Sequence, residues 1–250
     1  MYAPCCAHIS YAVGVAKLYI CCYIILQPYF LTGCFVMITL EAYLRDPCGE
    51  ASLPFWKENS TQVPEHMRIV HARDFSAMLY RSYIDTPHFK MLHRLEKIEP
   101  SALPQGFFLK KAAMPRDAKA LATLLSVCYE GSAFTPQRVT NLTCSPTYAP
   151  ELWLTVRDKS GALCGAGLAD YDEQAREGVL EWIQVMPGFR GKGIGKAIVN
   201  ALLAELSPRA RFVTVSGQKN NPCNPEALYR ACGFTGNDIW HVLTRRSDFS

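Results

Sequence analysis

The sequence predicts a mixed α/β fold with an N-terminal extension, and three observations support this class. Strand-like and helix-like patterns alternate from Phe107 onwards in the order β-α-α-β-β-β-α-β-α-β. A strand, a glycine-rich turn and an apolar-faced helix follow one another from Gly178 to Leu206. The residues before Phe107 show little regular repetition. We therefore divide the chain into residues 1–36, 37–105 and 106–250.

Length and composition limit the class of protein. With 250 residues, 49% of them hydrophobic and 19% charged, the chain can bury one core and a small appendage. The formal net charge of +4 is small and scattered, so we expect no nucleic-acid partner. Eleven cysteines occur without a Cys-x-x-Cys pair. Without a secretory context we expect reduced thiols and no zinc site.

Residues 1–36 have three interpretations. Leu18 to Leu40 carries no charged side chain and is long enough to cross a bilayer, although Gln27 and Pro28 interrupt it. A cleaved signal peptide fits poorly, because no small-residue cleavage site follows the apolar run. We favour a third interpretation, in which translation starts at Met37 and the upstream part is a mis-assigned extension. We therefore expect a cytoplasmic protein, with membrane attachment only if residues 18–40 are a true anchor.

Residues 37–105 are predicted to pack on the following domain as an extension. Glu41 to Leu44 has the composition of a short helix, and Ile69-Val70 that of a strand centre. Phe89 and Leu92, three residues apart, predict one face of a helix over 89–95. Four histidines, at positions 66, 71, 88 and 93, lack cysteine or carboxylate partners at ligand spacing. We interpret them as packing or solvated residues and predict no metal.

The elements from Phe107 to Tyr171 are predicted from local signals. Thr135 and Pro136 are a typical N-cap and first helical residue, and Asp158 to Gly161 has the composition of a hairpin turn. Gly165 and Gly167 would allow a ligand or a neighbouring element to approach their strand. The predicted strands are 107–112, 152–157 and 162–171, and the predicted helices are 115–129 and 135–142.

The central unit is a strand at 179–185, with Glu181 and Gln184 set into apolar residues. Pro187-Gly188 ends it, because proline cannot donate to the ladder and glycine permits unusual turn dihedrals. Apolar residues at helical spacing then predict a helix from Gly195 to Leu206. The remaining elements are predicted as strand 211–215, helix 224–232 and strand 239–244.

The loop Arg190-Gly-Lys-Gly-Ile-Gly195 joins this strand to this helix. A helix N-terminus exposes unpaired N–H groups and the positive end of the helix dipole, so it attracts phosphate. The glycines allow the backbone to approach phosphate oxygens, and Arg190 and Lys192 add positive charge. The loop therefore predicts a pyrophosphate site, with a simple flexible turn as the alternative.

Two familiar phosphate loops do not fit this position. A dinucleotide fingerprint follows the first strand of a repeated βαβ unit, whereas this loop lies late in the chain. A nucleotide-triphosphate loop ends in Gly-Lys-Ser/Thr, and Gly195-Lys196-Ala197 lacks the hydroxyl that would hold magnesium.

Two blocks resemble the GCN5-related N-acetyltransferase (GNAT) superfamily. Arg190-x-x-Gly193-x-Gly195 is similar to the family's acetyl-CoA loop, Arg/Gln-x-x-Gly-x-Gly/Ala. Asn224-Pro-Glu-Ala-Leu-Tyr-Arg-Ala-Cys-Gly-Phe234 is similar to its later segment, in which an Asn precedes a helix ending Leu-Tyr-x-x-x-Gly-Phe. The resemblance covers about 107–246. It implies a mostly antiparallel central sheet flanked by helices, and acetyl-CoA as cosubstrate without a metal.

The resemblance also implies roles for individual residues. The cofactor pyrophosphate would lie on the backbone of Arg190, Gly191, Lys192, Gly193, Ile194 and Gly195. The pantetheine arm would pair with the central strand at Ile183 and Val185, where the strand is expected to splay from its neighbour. Asn221 or Asn224 would contact that arm, and the short spacing from Asn224 to Tyr229 leaves the choice open.

Tyr229 and Glu181 are the catalytic candidates. Tyr229 occupies the family's Leu-Tyr position and would protonate the departing CoA thiolate, with aromatic packing as the alternative. Glu181 would act as general base, directly or through water, with an exposed ion pair as the alternative. The predicted function is direct transfer of an acetyl group to a primary amine of a small molecule or a peptide. The alternative is an acyl-CoA-binding regulatory or interaction domain with little or no transfer.

Overall fold

The structure, a computed structural model, describes residues 39–50, 66–100, 102–128 and 134–246. These residues form a mixed α/β fold around an eight-stranded sheet with the order β1-β8-β2-β7-β6-β5-β4-β3. Neighbouring strands are antiparallel, except that β6 and β7 are parallel. The predicted mixed fold with a mostly antiparallel sheet is therefore confirmed.

The strands are β1 Met67–His71, β2 Tyr83–His93, β3 Phe107–Lys111, β4 Tyr148–Asp158, β5 Leu163–Asp172, β6 Glu177–Val185, β7 Phe212–Gln218 and β8 Thr235–Arg245. The helices are α1 Leu40–Arg45, α2 Ala118–Cys128, α3 Pro136–Leu142, α4 Ile194–Leu206 and α5 Pro225–Ala231. From Phe107 onwards the element order is the predicted one. The predicted cap of α3 is present, because Thr135 Oγ1 accepts the Arg138 amide at 3.1 Å.

The prediction of a helix over 89–95 is wrong. Residues up to His93 belong to β2, which pairs with β7 on one side and β8 on the other. Phe89 and Met91 join the main core, while Lys90 and Leu92 point to the opposite face. The side chains of this segment thus alternate between the two faces of the sheet with the strand period of two, and the i, i+3 spacing of Phe89 and Leu92 does not reflect a helix. Residues 18–38 of the apolar segment 18–40, which include Met37, lie outside the described residues, while Thr39 and Leu40 are the N-cap and first residue of α1.

Different helices pack on the two faces of the sheet. Helix α4 packs on β4, β5 and β6 on one face. Gly167 permits this contact, because a Cβ there would lie 2.3 Å from Ile198 Cγ2 and 2.9 Å from Leu202 Cδ1. The close approach predicted for this glycine is therefore to a helix. On the other face, α2 and α3 share a core with β4, β5 and β6.

Residues 39–50 cover another part of this second face, over a buried polar group that we call the Lys90 cluster: Tyr43, Lys90, Glu177 and Thr214. The Tyr43 hydroxyl donates to Glu177 Oε2 at 2.8 Å, and the Thr214 hydroxyl donates to Glu177 Oε1. The Lys90 ammonium donates to the Pro47 carbonyl and lies 5.4 Å from the centre of the Tyr43 ring. Burial lowers the pKa of Lys90, and the charge of Glu177 opposes that shift.

None of the helices in the described ranges has both the length and the apolar character that crossing a bilayer requires.

Candidate active site

The strands β6 and β7 separate halfway along the sheet. Their parallel pairing runs from Glu177 with Phe212 to Leu180 with Val215. Beyond that pair β6 continues to Val185 alongside β5, while β7 continues to Gln218 alongside β2. A gap therefore opens between β6 and β7, and we call it the split. The splay expected near Ile183 and Val185 is thus present in the structure.

Glu181 lies at a β-bulge where the split begins. Leu168 pairs with Trp182, and the next residue of β5, Ala169, pairs with Leu180, so Glu181 is the extra residue of β6. A bulge bends a strand and re-aims its side chains, and bulges are frequent beside active sites. Leu180 accordingly packs in the α4-side core, whereas Trp182 packs edge-on against Phe134 on the other face. Glu181 itself is half-buried.

The glycine loop leads from the end of β6 to the first turn of α4. Gly191 and Gly193 have φ values of +74° and +80°, a region that favours glycine, and a Cβ on either would meet no atom within 4 Å. Gly193 is the N-cap of α4 and offers no side-chain cap to the helix. The first N–H groups of a helix have no intrahelical acceptor, so this N-terminus suits an anion.

The remaining loop residues lie close to apolar neighbours. Ile194 is buried in the core, and a Cβ on Gly195 would approach Leu228 of α5 to 3.2 Å. The Lys192 ammonium lies 5.3 Å from the centre of the Phe189 ring. Lys192 is thus exposed at the surface of the loop.

Arg190 crosses the end of the split. Its Nε donates to the Val185 carbonyl at 3.0 Å, and its Nη1 and Nη2 lie 3.1 Å from Cys223 Sγ and 3.8 Å from Cys128 Sγ. Sequence reasoning predicted Arg190 as a phosphate partner but missed both thiols. No local signal could have found them, because they come from the end of α2 and from the loop before α5.

Tyr229 lies in α5 on the α4-side face of the sheet and is 6% exposed. Its ring centre is 6.0 Å from that of Phe89 in β2 and 5.7 Å from that of Phe234. The tyrosine is thus held in position by aromatic rings on two sides. Phe89 was missed as a site residue because its segment was predicted as a helix.

The two candidate asparagines both support the loop before α5. Asn224 is the N-cap of α5, with φ at +46°, and its Oδ1 accepts the Ala227 amide at 3.3 Å. Asn221 Oδ1 accepts the Cys223 amide at 2.9 Å. These bonds use the amide oxygen of each side chain, so the pantetheine contact predicted for one of them stays a prediction.

Two other side chains with reactive groups have structural roles. Burial raises the pKa of Cys232 to about 11, which disfavours its thiolate as a nucleophile. Asp172 is buried, and its Oδ1 accepts the amides of Gln174 and Ala175 in its own turn. Within the described residues there is no group of three or more His, Cys, Asp or Glu side chains placed to hold a metal ion.

Solved structures share this fold. A GCN5-related N-acetyltransferase from Sphaerobacter thermophilus aligns with a TM-score of 0.58 at 22% identity, over 71% of this chain and 58% of that one. A tandem GNAT protein from the clavulanic acid biosynthesis pathway aligns with a TM-score of 0.54 at 16% identity, over 71% of this chain and 62% of that one. The fold is therefore that of the GNAT acetyltransferases.

Sequence comparison identifies the family. The sequence model of the acetyltransferase (GNAT) domain family matches residues 150–236. This range includes the split, the glycine loop and α5. Residues 150–236 therefore form a GNAT acetyltransferase domain. A β-lysine N(6)-acetyltransferase from Methanosarcina mazei is 29% identical over 140 residues, which is 55% of this chain. The chain spans about half the length of this curated relative, since the match covers 51% of it.

Proposed function

We propose that the protein is an acetyl-CoA-dependent N-acetyltransferase that acts on a primary amine by direct attack in a ternary complex. The observation that carries the proposal is the split of β6 from β7, which opens beside a glycine loop at the N-terminus of α4. A pyrophosphate on that N-terminus places an attached acyl-pantetheine arm along the split. The arm then pairs with the backbone of Ile183 and Val185.

Transfer from a thioester to an amine needs an oriented donor, a deprotonated amine and a proton for the leaving thiolate. In our proposal the half-buried Glu181, at the bulge, removes the proton from the amine directly or through a water. A backbone N–H near Val185 polarises the thioester carbonyl. The Tyr229 hydroxyl donates a proton to the CoA thiolate. The ring contacts with Phe89 and Phe234 support this role, because they hold the Tyr229 ring in one position.

The acceptor is proposed as a small molecule with a free primary amine. The name of the Methanosarcina relative specifies the N6 amine of β-lysine, so diamino acids are the first acceptors to screen. Peptides with a free N-terminus or a lysine form the second group.

The first test is calorimetric titration of the protein with acetyl-CoA. We expect micromolar binding, and a loss of at least about a hundredfold in Gly193→Asp, because the new carboxylate repels the pyrophosphate. Gly161→Asp is the matched control: Gly161 also has positive φ, at +85°, and open space at its Cβ, but lies in the β4–β5 turn. A folded wild type that fails to bind would refute the proposal.

A second candidate is an acyl-CoA-binding module without transfer. The burial of Tyr229 favours this module over an enzyme, because a catalytic acid needs access to the leaving group. Release of CoA thiol in the presence of each amine separates the two functions. For an enzyme we expect Tyr229→Phe to lower kcat about a hundredfold and to leave the KM for acetyl-CoA little changed. Binding without thiol release across the whole amine panel would favour the module.

A further inference from the structure

Two thiols share the guanidinium of Arg190, and the proposed function gives neither of them a role. Cys223 Sγ lies 3.1 Å from Nη1 and Cys128 Sγ lies 3.8 Å from Nη2. Because these nitrogens belong to one planar group, the two sulfurs occupy neighbouring positions around it. The Cys128 thiol also donates to the Val185 carbonyl, at 3.7 Å.

The thiols come from elements on opposite sides of the split. Cys128 is the last residue of α2, which packs on β5 and β6. Cys223 lies in the loop that joins β7 to α5. A bond between them would therefore tie the β6 side of the split to the β7 side at the place where Arg190 now lies.

The two cysteines differ in accessibility and in chemistry. Cys223 is exposed, whereas Cys128 is half-buried. Burial raises the pKa of Cys128, and the nearby Arg190 guanidinium opposes that shift. Thiol oxidation depends on access and on nearby positive charge. Cys223 is thus the thiol that an oxidant reaches first. Cys128 is the neighbouring thiol that can react with the oxidised sulfur of Cys223.

We infer that Cys128 and Cys223 form a peroxide-sensitive dithiol that closes the end of the split. A peroxide oxidises the Cys223 thiol to a sulfenic acid and releases one water. The Cys128 thiol then attacks that sulfur, the S–S bond forms, and the hydroxyl leaves as a second water. Two thiols are oxidised and one peroxide is reduced. Because an S–S bond is about 2 Å long, the guanidinium cannot remain between the two sulfurs.

The expected consequence is weaker cofactor binding, a part of the inference that rests on the proposed function. Oxidation displaces the Arg190 guanidinium from its contacts and ties α2 to the loop before α5. Losing one charge-assisted contact to pyrophosphate and narrowing the split should weaken acetyl-CoA binding at least about tenfold.

The test begins with the full chain, treated with hydrogen peroxide, alkylated, and digested with trypsin. The three cysteines to be compared fall on separate tryptic peptides: residues 120–138 with Cys128, 139–157 with Cys144, and 220–230 with Cys223. Cys144 is exposed and serves as the matched control. We expect a 120–138/220–230 disulfide that dithiothreitol reverses, while Cys144 stays outside it. In Cys128→Ser, dimedone should instead trap a sulfenic acid on Cys223.

Calorimetry on the reduced and oxidised protein completes the test. A fall in acetyl-CoA affinity of about tenfold or more that dithiothreitol restores, and that is missing from Cys223→Ser but present in Cys144→Ser, supports the inference. No 128–223 disulfide, a different cysteine pair, or an unchanged affinity after the disulfide has formed would overturn it. Failure of the folded, reduced protein to bind acetyl-CoA refutes the proposed function instead, and the peptide map alone then decides the thiol pairing.

Discussion

Two regions of the molecule meet at β7 and are specified in different ways. On one side, β6, the glycine loop and α4 follow one another along the chain, and local signals predict each of them. On the other side, β2 reaches β7 from more than a hundred residues away, and the Lys90 cluster joins α1, β2, β6 and β7. The first region holds the candidate cofactor site, and the second holds the buried Lys90 cluster.

This difference predicts separable effects of substitution. Changes in the Lys90 cluster should lower the free energy of unfolding and leave the acetyl-CoA affinity of the folded protein unchanged. Changes at Gly191 or Gly193 should mainly lower the acetyl-CoA affinity. Both glycines border open space, so the cost in stability is limited to that of a side chain at positive φ.

The largest effect is expected for Glu177→Ala. Glu177 is buried, accepts hydrogen bonds from Tyr43 and Thr214, and offsets the charge of the buried Lys90. Removing one partner of a buried ionic group costs about 3–5 kcal/mol, and we expect a loss of about 4 kcal/mol in urea unfolding. The exposed Glu173→Ala is the control, and a Glu177→Ala loss as small as that of the control would contradict the role of the cluster.

Gly167→Val tests whether α4, as distinct from the loop before it, also contributes stability. The added side chain would collide with Ile198 and Leu202, so we expect a loss of about 3 kcal/mol. Gly188→Ala, where no atom lies within 4 Å of the new Cβ, should leave thermal unfolding almost unchanged. Equal effects of the two variants would show that α4 can shift away from β5 at little cost.

Tyr43→Phe should have a smaller effect. It removes only the hydroxyl that donates to Glu177 at 2.8 Å and keeps the ring against Phe212 and Lys90. A hydrogen bond to a charged group contributes about 1.5–3 kcal/mol, and we expect a loss of about 2 kcal/mol in urea unfolding. Tyr80→Phe, in the β1–β2 connection, is the control. An unchanged acetyl-CoA affinity in Tyr43→Phe would support the separation of the two regions. A loss of affinity alongside the loss of stability would contradict it.

The smallest effect is a pH dependence of stability that originates in β2. His93 is buried, its Nδ1 accepts the Leu95 amide at 2.9 Å, and burial lowers its pKa. Below the ordinary histidine pKa of about 6.5 the unfolded chain binds a proton that the folded chain resists. Stability from this residue is therefore present at neutral pH and falls on acidification, by at most about 1.4 kcal/mol per pH unit.

Urea unfolding between about pH 7 and pH 5 measures this slope. His93→Asn should flatten it, because the amide oxygen can replace Nδ1 as acceptor and does not titrate. His66→Asn, at an exposed position, should keep the wild-type slope. His88 shifts in the same direction, since burial also lowers its pKa, so part of the slope should survive in His93→Asn. A slope of the opposite sign would contradict the assignment.

The sequence predicted best what depends on neighbouring residues. The strand, turn and helix from 178 to 206 are encoded by alternation, by Pro187-Gly188 and by helical spacing, and the structure has all three. Thr135 was predicted as a cap because its partner lies three residues away. The approach of α4 to Gly167 was foreseen as a possibility, but which element approaches depends on packing.

The sequence predicted least what depends on distant pairing. Phe89 and Leu92 suit a helix by spacing, and only the strands on both sides of β2 decide between the two periods. The contacts of Arg190 with Cys128 and Cys223 join residues from three separate elements, and neither cysteine has a local motif. The Lys90 cluster could not be predicted from the sequence either, because its residues come from four separate elements.

The position of β2 also has a practical consequence for dissecting the protein. The matched family range, 150–236, contains β6 and β7 but not the strand that pairs with the other side of β7. A fragment cut at that boundary would present β7 as a bare edge, with unpaired backbone groups and apolar residues such as Val213 and Val215. Such an edge recruits further strands, so the excised fragment should self-associate. The smallest unit worth expressing for biochemistry therefore begins upstream of β2.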